Sequence, residues 1–311
     1  MKSLKEFSDL YPSDEKILWE ENQVLMKDLK ANLSSLASNK YEKELVEVLN
    51  PDGFYPYYTH QKVKILFIAK ESLGLYGKDY IQAILPAIRS NDPRGRREWN
   101  ESHPDDPWAK VITNNTDPFL SKMLYIAYGL NNACCSYDDM PWASDIGQYL
   151  FGRANGIVSR EGEQGISYAF MNYSKFDNPS EESYAADKNR MRTYFEMVQR
   201  SGINWFARQI SLLNPDLIIE MNIGRQYADS LSTKPIEWVE TEDENLWIGY
   251  LPIGEQKFLL FETWHFSIPG KSFNKYFYPN IVDAWLRYGN PRLGSCSMQM
   301  HRPQVPQIYC V

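Results

Sequence analysis

Val63-Lys64-Ile65-Leu66-Phe67-Ile68-Ala69 is a short, almost unbroken apolar run rich in branched side chains. A strand buried on both faces, inside a parallel sheet, has this pattern. Lys70-Glu71-Ser72-Leu73-Gly74 follows at once and reads as a polar turn. Open α/β sheets bind ligands beyond the carboxyl ends of their strands, so this turn marks a candidate site. Three more runs share the character. Residues 166–171 predict a second central strand ending in Asn172-Tyr173-Ser174-Lys175, and residues 216–222 a third that opens into Ile223-Gly224-Arg225. Residues 247–251 and 258–264 flank Pro252-Ile253-Gly254-Glu255 as a hairpin or extension that delivers the fourth, which ends in His265-Phe266-Ser267.

Helical patterns separate the strands. Ser13-Asp14-Glu15 is placed to cap a helix running to residue 36, and a second covers 40–48 before the turn signal Asn50-Pro51-Asp52-Gly53. Residues 90–118 are polar and predict a long surface loop; helices follow at 119–130 and 143–154. One long helix is expected over 180–213, stopped by Asn214-Pro215. Pro279 opens the last helix and Gly289-Asn290-Pro291 closes it. The alternation predicts an α/β three-layer sandwich with a central, mainly parallel four-stranded sheet flanked by helices. Residues 1–60 are expected to be an N-terminal helical extension, 61–291 the α/β domain, and 292–311 an irregular tail.

The 311 residues are 43% hydrophobic and 23% charged, which excludes a disordered chain. No apolar run approaches the roughly 18 residues of a spanning helix, and residues 1–20 are too polar for a secretory signal. The expectation is a cytoplasmic protein with no membrane partner. The net charge of −7 argues against a broad polyanion-binding surface, though not against a small basic patch. Cys134, Cys135, Cys296 and Cys310 lack metal-ligand spacing and read as incidental thiols in a reducing compartment. No metal or cofactor is implied. Gly-rich dinucleotide loops, Walker loops, Gly-x-Ser-x-Gly elbows and His-Glu-x-x-His pairs are all missing from the sequence. Aromatic residues reach 14%, led by 21 tyrosines, enough for a large core or for stacking platforms.

Carboxyl ends of parallel strands share one sheet edge. Lys70-Glu71, Asn172 and His265-Ser267 can therefore converge there, and an acid, an amide and an imidazole make a plausible catalytic set. These residues carry a resemblance. Ile68-Ala69-Lys70-Glu71-Ser72-Leu73-Gly74 is similar to the first motif of the uracil-DNA glycosylase superfamily. Gln164-Gly165 before the second strand, Asn172 at its end, Asn214-Pro215-Asp216 before the third strand, and Trp264-His265-Phe266-Ser267 follow in the family's order. The similarity spans about residues 62–290.

The resemblance implies a DNA or nucleobase-containing ligand and no cofactor. Glu71 would orient or activate water, Asn172 would hydrogen-bond an extruded base, and His265 would donate to the base carbonyl. Tyr76 would stack on the base, Ser267 would contact a phosphate, and Ile268 would lie in the wedge loop. Lys70, Lys175, Lys271 and Lys275, with Arg94, Arg96 and Arg97, would be phosphate contacts. The chain departs from the family where Asp becomes Glu71 and where Pro becomes Ser72 and Phe266. Three function classes stay open: a glycosylase, a non-catalytic nucleotide or nucleic-acid binding protein on the same fold, and an unrelated small-molecule activity.

Overall fold

The computed structural model describes residues 7–89, 118–141, 143–148, 166–179, 186–239 and 244–289. Its strands are β1 (Gly53–Phe54), β2 (Ile65–Leu73), β3 (Ala169–Asn178), β4 (Leu217–Met221), β5 (Glu237–Val239), β6 (Leu246–Ile253) and β7 (Gln256–Thr263). They form one sheet in the order β1-β3-β2-β4-β7-β6-β5. β3, β2, β4 and β7 run parallel, whereas β1, β6 and β5 are antiparallel to their neighbours. The sheet is therefore mixed and seven-stranded, not four-stranded. The two short edge strands escape sequence reading because two or three residues carry no period.

Register explains the apolar runs. Phe170, Phe67, Ile219 and Phe261 are aligned across the four parallel strands and face one side. Met171, Ile68, Glu220 and Glu262 form the next row and face the other. Helices are α1 (Lys16–Leu36), α2 (Lys40–Glu47), α3 (Tyr80–Arg89), α4 (Pro118–Asn131), α5 (Ala143–Gln148), α6 (Lys188–Ser201), α7 (Trp205–Leu213), α8 (Arg225–Ala228), α9 (Phe273–Tyr276) and α10 (Tyr278–Ala284). On the Phe67 side, Tyr80 of α3 stacks on Phe170 at 4.1 Å and Phe119 of α4 meets the same ring at 6.1 Å. On the other side, Tyr173 stacks on Phe206 of α7 at 4.9 Å and on Phe195 of α6 at 6.2 Å.

Three readings need correction. Lys70 to Leu73 continue β2 instead of turning; the turn comes at Gly74 to Gly77. β3 runs on through Asn172 to Asn178, because Ser174, Lys175, Asp177 and Asn178 are buried with hydrogen-bond partners and not solvated. The helix expected over 180–213 is two helices. Gly202 ends α6 at φ 66, and the Asn204 side chain accepts from the Ala207 amide to start α7. Pro279 does sit in the first turn of the last helix, α10; the short α9 precedes it, and the chain runs on into a π turn over Trp285–Gly289.

Residues 7–60 pack into the same core. β1 pairs with β3, and the Asn22 amide of α1 donates to the Asp52 carbonyl. The Asp52 carboxylate, fully buried, takes the Lys175 ammonium at 2.6 and 2.8 Å, the Gln209 amide at 2.8 Å and the Asn172 backbone N–H at 2.7 Å. No side chain caps α1; Glu15 instead accepts from the Tyr57 and Thr59 backbone amides at 2.6 Å each. Gln164-Gly165, Arg94, Arg96, Arg97, Cys296, Cys310 and the tail at 292–311 lie outside the described residues.

Candidate functional site

Ala69 pairs with Asn172 across β2 and β3, two residues beyond the Phe67–Phe170 pair and level with the ends of β4 and β7. The two-residue period places the Asn172 side chain on the same side as Phe170. That side chain is 1% exposed, and among the described residues neither its Oδ1 nor its Nδ2 has a hydrogen-bond partner. Leaving an amide buried and unpaired costs about 1–3 kcal/mol, so such groups in native folds call for an explanation. A bound group with one donor and one acceptor would satisfy both atoms.

His265 follows β7 at that level. Its ring stacks on Phe119 at 5.5 Å and 21°, and Phe119 in turn meets Phe170. Two ring contacts thus connect His265 to the residue two positions before Asn172. The Ser267 backbone N–H donates to His265 Nδ1 at 3.2 Å. A neutral ring accepting at Nδ1 carries its proton on Nε2. The Ile268 N–H closes the turn on the His265 carbonyl at 2.9 Å. Phe266, where the resembled family has Pro, is fully buried against Phe67, Phe119 and Phe277. Packing, not a pyrrolidine ring, fixes this loop.

Glu71 is held elsewhere. Its Oε1 accepts from Asn178 Nδ2 at 2.8 Å and from the Asp187 amide, at the start of α6, at 2.7 Å; Oε2 is buried with no partner among the described residues. Burial pushes its carboxyl above the ordinary value, and those hydrogen bonds pull it part of the way back. Its hydrogen-bond partners do not include Asn172 or His265. Strand geometry sets its Cα about 8 Å from that of Asn172. Lys70 is half-buried; burial lowers its ammonium, Glu71 raises it and Lys188 lowers it again.

The remaining expected contacts divide. Tyr76 sits in the turn after β2 at φ 50 and is 54% exposed, with its amide donating to Asp177 at 3.1 Å. The ring beside His265 is Phe119, which the sequence reading did not single out. Lys175 is corrected outright. Its ammonium is spent on Asp52 in the core and is not available to a phosphate. Ser267 and Lys275 are exposed, and Ile268 is half-buried against the core. Lys271 Nζ donates to Asn245 Oδ1 at 2.8 Å and lies 4.8 Å from the Trp264 ring.

On the opposite face, Glu220 and Glu262 are neighbours on β4 and β7. Glu220 is fully buried with both oxygens unpartnered among the described residues. Burial, then Glu262, then Asp229 push its carboxyl well above the ordinary value. Only register reveals this pair. Cys134 and Cys135 are half-buried free thiols, with burial raising Cys134. Among the described residues no three His, Cys, Asp or Glu side chains gather to hold a metal ion, and no helix is long and apolar enough to cross a membrane. Comparison of the chain with protein-family models, curated proteins and solved structures gave no match.

Proposed function

We propose that the chain hydrolyses the N-glycosidic bond of a damaged or deaminated base in DNA. The observation that carries this reading is Asn172, a buried amide with both polar atoms unpaired, level with the end of the strand that His265 follows. Bases present paired donors and acceptors along one edge, and an amide matches them. The order of motifs along the chain and the four parallel inner strands support it as well.

The chemistry follows from the groups. The bond between C1′ and the base nitrogen breaks with its electron pair leaving on the base. His265 Nε2–H donates to the carbonyl oxygen where negative charge grows, an effect worth about 100- to 1,000-fold per donor in comparable sites. Water adds to the cationic sugar carbon and gives up its proton, Glu71 being the carboxylate for which the resemblance implies that role. Extruding the base costs a few kcal/mol beforehand.

One observation favours a second reading, binding without catalysis. Glu71 is engaged by Asn178 and Asp187 and does not reach Asn172 or His265. The test is base release from single- and double-stranded oligonucleotides carrying uracil, hypoxanthine, xanthine or a mismatch, read by alkaline strand cleavage. Release that falls at least 100-fold in His265→Ala and disappears in Glu71→Ala supports the hydrolase. Full activity in both variants refutes the assigned roles. Tight oligonucleotide binding with no cleavage selects the second reading.

A further inference from the structure

The loop after His265 also closes a separate concavity of about 530 Å³ against α4. Its polar lining includes Ser121, Lys122, Tyr137, Lys271 and Ser272, and among the described residues no carboxylate lines it. In a chain with net charge −7, a cavity with two lysines and no acid is a marked charge asymmetry.

Lys122 is the unusual member. It is 6% exposed, donates to the Phe266 carbonyl, and lies 4.2 Å from the centre of the Phe277 ring. Among the described residues no carboxylate pairs with it. Burial alone lowers its ammonium to about 8. An ammonium taken out of water without a counterion costs several kcal/mol, so an anion reaching it would be held strongly. Lys271 also lacks an ion pair among the described residues; its contacts are Asn245 and the faces of Trp264 and Tyr276. Ser272 precedes α9 without making a side-chain cap and is exposed. Tyr125, Tyr137 and Phe273 pack ring on ring at 5.2–5.5 Å along one wall.

We propose that this cavity binds the terminal phosphate group of a phosphomonoester, such as a mononucleotide, between Lys122 and Lys271. Two cations match a group that carries about −1.5 to −2 near neutral pH, and hydroxyls complement its oxygens. The phosphate must be terminal because Lys122 is nine-tenths buried: a diester inside a continuous strand has substituents on both sides and cannot lower an oxygen that far. The volume left beyond the phosphate, walled by rings, takes the organic part. The proposal stands independently of base release, since it uses neither Asn172 nor His265.

Titration calorimetry on the full chain tests it with deoxyadenosine 5′-monophosphate, deoxyadenosine and inorganic phosphate. The nucleotide and phosphate should bind, more weakly at higher salt, and the nucleoside should not. Lys122→Met, an apolar near-isostere, and Lys271→Gln should each weaken nucleotide binding at least tenfold with thermal unfolding kept cooperative. Binding should fade as pH rises past about 8, where Lys122 loses its charge. Four results overturn the proposal: no heat with either phosphate probe, equal binding of nucleoside and nucleotide, affinities unchanged in both lysine variants, or full competition by an oligonucleotide lacking terminal phosphate.

Discussion

Lys175→Met removes the cation from the buried Asp52–Lys175 pair, and the structure sets the size of the effect. Both side chains are at most 1% exposed, and the ammonium contacts both carboxylate oxygens. The variant leaves Asp52 charged, still accepting from Gln209 and the Asn172 amide, with no counter-charge in the core. Breaking a buried pair in this way costs about 3–5 kcal/mol. Unfolding entropy of about 2.1 cal/mol/K per residue over 311 residues turns that into a Tm drop of about 5–8 °C. Asp52→Asn should cost a similar amount by stranding the ammonium. The double variant, with an amide facing a thioether, should recover about 2 kcal/mol or more of the summed losses. Urea unfolding followed by circular dichroism and by tryptophan fluorescence reads all four corners of the cycle. A coupling below about 0.5 kcal/mol would refute the reading of a charged, mutually dependent pair. Two separated transitions in Lys175→Met would refute the reading of residues 7–60 as part of one cooperative unit.

Two further outcomes follow from buried groups. Glu220 has its folded value raised, so its stabilising contribution is complete below the ordinary glutamate range and is lost as pH rises towards that raised value. Glu220→Gln should therefore melt higher than the parent at pH 8, with little difference at pH 5; parallel melting profiles for the two proteins would overturn that account. Phe266→Ala should cost about 3–5 kcal/mol and depress base release by loosening the His265 turn, whereas Phe266→Leu should restore most of both; thermal melts beside the cleavage assay check it, and unchanged release in the alanine variant would remove the positioning role.

The four inner strands were legible because their apolar runs are continuous, which only burial on both faces explains. His265 was placed correctly after β7 by order along the chain, whereas Asn172, read as the end of a strand, lies within β3. β3 was cut short for a physical reason. The polar run Asn172-Tyr173-Ser174-Lys175 read as the end of the strand, yet all four are buried, and Lys175 finds its partner 123 residues away. Pairing over that separation leaves no local pattern. Lys122 and the Glu220–Glu262 pair were invisible on the same grounds, since they depend on register and helix docking. The break at Gly202 did carry a signal, a glycine followed two residues later by a capping asparagine, and the helical period on both sides masked it.

The sheet ends in stubs. β1 has two residues and β5 three, both antiparallel to the strand they cover. Outside β3, the Leu49–Phe176 bridge and the Asn50 amide on the Lys175 carbonyl continue the cover where β1 stops. Long inner strands such as β2 and β3 are the kind that template growth when their backbone is open, and short capped borders deny a second molecule that row of hydrogen bonds. The same borders make strand exchange between copies depend on prior release of the segment around Asp52. On the β3 side, that release means parting Asp52 from the Lys175 ammonium in the core.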